Sequence, residues 1–306
     1  MKKILVTGAN GLFGEACCRI FQESSGYDVI PMTRADADLA DLVSLRKYLN
    51  KLEFDVLINT AAMSGLEQCL ENPVLASRVN TDAPEVMAEV CRDKGAKMIQ
   101  ISTDYVLDGR EEVLHSDLVD FTEISTRVRT RASGVYSTTK LESEQAVLKA
   151  SSSHVVARVS WLFGHGRESF VDQVVKAAHA GEIGNYVNDK FSVPNFCDDL
   201  VPAVMSIIAS DTSGVFHLTN NAEPESWYTY AKKVVEIATN LGVINHCSVE
   251  INTQKLVDIQ CFKEERPRFT AMLPQRLKEE CHFEVENWKN GVRLYLDQKY
   301  GNSLTS

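Results

Sequence analysis

Ile4-Leu5-Val6-Thr7-Gly8-Ala9-Asn10-Gly11-Leu12-Phe13-Gly14 stands almost at the start of the 306-residue chain and governs how the remaining residues are read. Its uncharged apolar opening is the pattern of a strand buried on both faces of a parallel sheet, and the three glycines come without a linker. Each glycine answers a steric demand: Gly8 a sharp turn, Gly11 the approach of backbone to a phosphate, Gly14 close contact between helix and strand. The helix beginning there aims free N–H groups at a pyrophosphate. Glycine spacing alone would fit an ordinary turn. Strand, turn and helix in this order predict a dinucleotide site built from Gly8, Asn10, Gly11, Leu12, Phe13 and Gly14.

Working outward, helix Leu12 to Ser24 leads to strand Tyr27 to Met32, a helix capped by Asp41, and strand Asp55 to Asn59. Helix Asn80 to Lys94, strand Lys97 to Ser102, helix Tyr136 to Ala150 and strand His154 to Val159 continue the alternation. The fold class it predicts is α/β, a Rossmann-type doubly wound parallel sheet over residues 1–160 with right-handed crossovers. Beyond Trp161 the rhythm breaks, and residues 161–306 are expected to form a smaller, mostly helical substrate lobe. Its helices are expected over 168–180, 198–209, 227–241 and 275–300, and strand 214–219 either stays in the lobe or rejoins the main sheet. Between Gly109 and Gly134 the chain is polar and aperiodic, first acidic and then basic; it reads either as a loop over the site or as an inserted segment.

A formal charge of −10 argues against a chain that grips nucleic acid or an anionic membrane through its overall field. Apolar residues at 44% and charged residues at 24% suit a globular enzyme. No apolar stretch reaches bilayer length and the first strand begins at once, so the expectation is a cytoplasmic protein acting on small molecules. Eight scattered cysteines without a Cys-x-x-Cys pair read as reduced thiols, and seven histidines show no ligand spacing, so no protein-held metal is expected.

Ligands of such a sheet lie at the carboxyl ends of its strands. Thr33-Arg34 ends the second strand without an acid for the ribose hydroxyls, which favours NADP(H) over NAD(H). Arg34 would meet the 2′-phosphate, with Asp38 and Leu39 beside it; otherwise it is a solvated loop charge. Ala61, Ala62 and Met63 come after the third strand and either let a cofactor lie close or serve helix packing. Thr103, Asp104 and Tyr105 end the fourth. Tyr136 and Lys140 are four apart on one helix face, so an ammonium can approach a phenol. A phenol of ordinary pKa about 10 needs a nearby cation, and a positive nicotinamide ring, to work near neutrality.

With these residues in view, the chain resembles the extended short-chain dehydrogenase/reductases, and within them the dTDP-4-dehydrorhamnose reductases. The resemblance runs through Thr7-Gly8, Asn59-Thr60-Ala61-Ala62, Ser102-Thr103-Asp104-Tyr105, Tyr136-Ser137-Thr138-Thr139-Lys140, Arg158-Val159-Ser160-Trp161, Asn188-Asp189-Lys190 and Glu265-Arg266-Pro267-Arg268. It implies a catalytic set of Thr103, Tyr136 and Lys140, with cofactor contacts at Ala61, Ala62, Met63 and Asn80. It further implies substrate contacts at Thr103, Asp104, Tyr105 and Trp161, and a pyrophosphate held by Lys190 and Arg266. Trp161 is either a wall for the sugar or a core residue. Ser137 and Ser143 stand where the family usually has glycine, Met63 where it has tyrosine or histidine, and Lys190 where it has glutamine, which leaves the exact sugar open. The implied activity is NAD(P)H-dependent reduction of the C4 keto group of a nucleotide-linked deoxysugar. An epimerase or dehydratase of the same superfamily, or a non-catalytic NADP-binding regulatory subunit, are the alternatives, and a homodimer is compatible with either.

Overall fold

The computed structural model describes residues 1–117, 132–182, 184–244 and 250–301, so most of the polar stretch expected over the site lies outside the described residues. Six parallel strands form the central sheet, in the spatial order Tyr27–Met32, Lys2–Thr7, Val56–Asn59, Lys97–Thr103, Val155–Val159, Gly214–His217. Strand order reverses beside Lys2–Thr7, and a crevice opens at such a switch point above the carboxyl ends.

Alternate residues of each strand face opposite sides, and both sides are apolar. Ile4, Val6, Ile58 and Ile99 pack with Phe13, Cys17 and Phe21 of helix Leu12–Glu23 and with Leu200, Val204 and Ile207 of helix Cys197–Ser210. Leu5, Leu57, Met98 and Val156 pack with Leu45 and Leu49 of helix Leu42–Lys51, with Met87 of helix Ala83–Lys94 and with Val147 of helix Val135–Ala150. Residues beyond 160 therefore serve both halves: 197–217 return to the sheet. Phe163, Phe196, Tyr230, Trp288 and Tyr295 form a separate aromatic core for the second lobe.

Two expected helices differ. The one foreseen from Asn80 is preceded by Leu66–Glu71 and Pro73–Ser77 and by a π-helical turn at Arg78–Asp82. Such widened turns occur at functional sites, and here it carries the buried Asn80. The tail is two helices, Gln275–Cys281 and Trp288–Tyr300, because His282 takes a left-handed conformation (φ 51°) that ends the first. No helix among the described residues is long and apolar enough to cross a membrane.

Candidate active site

The crevice is held open by bonds among the strand ends. Thr7 donates its hydroxyl to Asn59, Asn59 donates to Gln100 at 2.7 Å, and Thr60 donates to the Thr7 carbonyl at 2.7 Å. Gly8 (φ 66°) turns the chain, and a Cβ at Gly14 would overlap the Gly8 carbonyl, so both positions need glycine. Opposite this turn run Ala61, Ala62 and Met63. Asn80 fixes them: its Oδ1 accepts the Met63 N–H at 2.8 Å, and its Nδ2 donates to the Met63 carbonyl at 3.0 Å and to Thr139 at 3.2 Å. Asn80 thus holds the Ala61 to Met63 segment in place, with its amide committed to that segment and to helix Val135–Ala150. Phe13 is likewise buried in the sheet core, whereas Asn10 is exposed and Leu12 half-buried at the turn.

Arg34 lies just past Met32, the strand end paired with Thr7, and its guanidinium meets Asp38 at 3.1 Å on the open surface. Leu39 is half-buried against the core below. The cation is therefore available to an added phosphate, and Asp38 is its present partner.

Thr103 and Tyr136 meet at the carboxyl end of the fourth strand. The half-buried Tyr136 ring lies edge-on to Tyr105 with 6.0 Å between centroids, and the Thr103 hydroxyl donates to Asp104 at 3.3 Å and accepts the Tyr105 N–H at 3.2 Å. Burial pushes the Tyr136 phenol up to about 12, the Thr103 hydroxyl pulling the other way. The Lys140 ammonium donates to the Ile101 carbonyl at 2.7 Å, and burial brings Lys140 down to about 8, opposed by nearby Glu144. A phenol that keeps its proton at neutral pH suits a donor in the reductive direction.

Asp104 and Lys190, read from the resemblance as substrate contacts, are buried. The Asp104 carboxylate accepts from Thr103 at 3.3 Å, from Ser192 at 3.2 Å and from Thr270, while burial raises its pKa against the pull of Lys190 and these hydroxyls. Lys190 donates to the Pro267 carbonyl at 2.7 Å and sits 4.6 Å over the Tyr105 ring. Arg266 is also engaged: it grips Glu67 at 2.8 and 3.1 Å and lies 3.4 Å from the Phe262 ring centre. The three charges tie segments far apart in the chain to one another. Trp161 adopts φ 39° just past the fifth strand, stacks on Tyr230 with Trp227 tilted beside it, and its buried Nε1 has no hydrogen-bond partner among the described residues.

A buried ion pair not singled out from the sequence supports helix Val135–Ala150. Arg158 bonds both oxygens of Glu144 at 3.0 and 2.7 Å, and Ser102 donates to the same carboxylate at 2.6 Å. The signal was present: an arginine inside the apolar strand Val155–Val159 requires a buried partner.

A glycine turn at a switch point, with a Tyr-x-x-x-Lys helix and a threonine beside it, defines an NAD(P)-dependent oxidoreductase of the extended short-chain dehydrogenase/reductase class. The family described as RmlD substrate binding domain matches residues 1–300, and the chain belongs to it. The Bacillus subtilis spore coat polysaccharide biosynthesis protein SpsK is 27% identical, over 98% of each chain. A dTDP-4-keto-6-deoxy-D-glucose reductase of Streptomyces niveus is 28% identical, over 94% of each. Among solved structures, a dTDP-4-dehydrorhamnose reductase of Clostridium acetobutylicum superposes with a TM-score of 0.86 at 26% identity, covering 97% of this chain and 99% of its own.

Proposed function

We propose that this chain reduces the C4 keto group of a nucleotide-linked deoxysugar, with NADPH preferred over NADH. The observation that carries the reading is the Tyr136 ring edge-on to Tyr105 past the end of the fourth strand, on a helix whose buried Lys140 donates to the Ile101 carbonyl of that same strand. The turn fits a pyrophosphate, since side chains at Gly8 and Gly14 would close it. The bound nicotinamide supplies the hydride. Backbone from Gly8 to Gly14 and from Ala61 to Met63 would hold the dinucleotide, and Arg34 its 2′-phosphate. Tyr136 carries the proton for the carbonyl oxygen, Thr103 orients that oxygen, and the Trp161 ring and Tyr105 line the sugar side. Relatives bearing dTDP-keto-sugar reductase names along nearly the whole chain support the substrate class.

The test is NADPH consumption with dTDP-4-dehydrorhamnose and with the free keto sugar. Oxidation of NADPH with the nucleotide-linked sugar alone is the expected result. No consumption with any nucleotide sugar, or equal rates on the free sugar, would refute the reading. Cofactor that leaves the protein after each turnover would separate a reductase from an epimerase.

Arg34→Ala tests the cofactor assignment. Loss of an exposed cation beside a phosphate is worth about 1 kcal/mol, roughly a fivefold rise in the Kd of NADPH. The Kd of NADH should stay put, and the effect should shrink with added salt. Equal changes for both cofactors would remove Arg34 from this role.

A further inference from the structure

The helix that presents Tyr136 has no side chain at its N-cap position to accept its first N–H groups. It begins at Gly134, which has no side chain, in extended backbone (φ −155°, ψ 177°), and its first N–H groups have no partner within the helix. Ser137 bonds back to Gly134, accepting its N–H at 3.0 Å and donating to its carbonyl at 3.1 Å. The N–H of Val135 goes to a residue 129 positions away: it donates to the carboxylate of Glu264 at 2.8 Å. Glu264 is only 8% exposed, and a Cβ at position 134 would overlap its Oε2, so glycine there is what admits the carboxylate.

Glu264 is fastened in turn. Arg266 donates to its backbone carbonyl at 3.2 Å and grips Glu67, while Lys263 lies 3.7 Å from Glu71. Glu67 and Glu71 belong to helix Leu66–Glu71, which comes directly after the Ala61 to Met63 wall. One segment of the second lobe therefore holds both the wall of the cofactor crevice and the start of the catalytic helix.

We infer that Glu264 is a positioning residue: a clamp from the second lobe that fixes the first turn of the catalytic helix and with it the Tyr136 hydroxyl. Tyr136 is the second residue of that helix, where an uncapped end frays, while Lys140 lies a turn further in and is anchored to Ile101. Loss of the clamp must therefore disturb proton donation far more than cofactor binding. An anion at a helix N-terminus is also favoured by the helix dipole. The inference rests on Tyr136 as the proton donor, but its exchange readout does not.

Three variants decide it: Glu264→Ala removes the acceptor, Glu264→Asp keeps the charge on a shorter stem, and Glu264→Gln keeps an acceptor oxygen at the same reach. Displacement of a reacting group by about 1 Å can cost up to roughly a hundredfold, so a kcat loss of about tenfold or more is expected for Ala and Asp. The Kd of NADPH should stay within about twofold. Amide hydrogen exchange should quicken in residues 132–141 and stay unchanged in 145–150. Gln should bring kcat and exchange back to within about threefold of wild type, as a retained acceptor predicts. Should Ala not fold, Asp carries the same expectation. Unchanged kcat or exchange in Asp, equal loss in Gln and Asp, or parallel loss of kcat and NADPH affinity would overturn the clamp. Full turnover by a Tyr136→Phe protein would instead overturn the proton-donor reading and leave the exchange result standing.

Discussion

Tyr136→Phe is expected to lower kcat for keto-sugar reduction by about 10²- to 10⁴-fold, the usual contribution of a positioned acid. The change deletes one hydroxyl. The ring that packs edge-on to Tyr105 remains, and the crevice from Gly8 to Gly14 is untouched, so the Kd of NADPH should move by less than about a factor of two. Steady-state rates at saturating substrate, with cofactor binding measured by fluorescence, check both halves. More than half of wild-type turnover would show that the proton comes from elsewhere. The pH dependence has a definite sign: the donor must be protonated, and burial holds the phenol up to about 12, so activity should not decline through loss of this proton near neutrality. Lys140, brought down to about 8 by burial, sheds its charge first, and any fall between pH 7 and 9 should appear in cofactor affinity before it appears in kcat.

Arg158→Met should destabilise the fold by about 3–5 kcal/mol, the cost of leaving one member of a buried ion pair uncompensated. Both side chains are almost wholly inaccessible, at 3% and 4%, and among the described residues Glu144 would then keep the Ser102 hydroxyl as its direct donor and Lys140 as a neighbouring charge. Glu144 lies on the helix that carries Tyr136 and Lys140, so the pair fastens that helix to the sheet from below. Replacing both residues by methionine should cost less than the single change, because no buried charge is left alone. Urea unfolding of the two single variants and the double variant provides the measurement, and a loss below about 1 kcal/mol for Arg158→Met would contradict the argument. A buried network of this kind contributes to specificity of position more surely than to net stability, in keeping with the polar layer Thr7, Asn59 and Gln100 further along the sheet.

Much of the site was legible because its signals are local. A strand that runs straight into three glycines, and a tyrosine and lysine four apart, are patterns set by backbone sterics and helix periodicity within a dozen residues. The same holds for strands with both faces apolar, which placed five of the six strands of the sheet and left open the return of Gly214–His217. The amphipathic pattern of the tail carries across 275–300, and nothing nearby announces that His282 turns left-handed and divides it into two helices.

What the chain's order of residues determined is the glycine turn, the alternation of strand and helix, and the spacing of Tyr136 and Lys140, since each depends on contacts between close neighbours. Tertiary structure alone decided which charges face the crevice and which hold it together. Asp104 meets Ser192 and Thr270 across 88 and 166 residues, Arg266 meets Glu67 across 199, and Val135 finds its cap in Glu264 across 129. A charged side chain announces in sequence only that it needs a partner. Whether that partner is a ligand's phosphate or a carboxylate of the other lobe depends on desolvation at a contact between distant segments, and that contact exists only once the chain has folded.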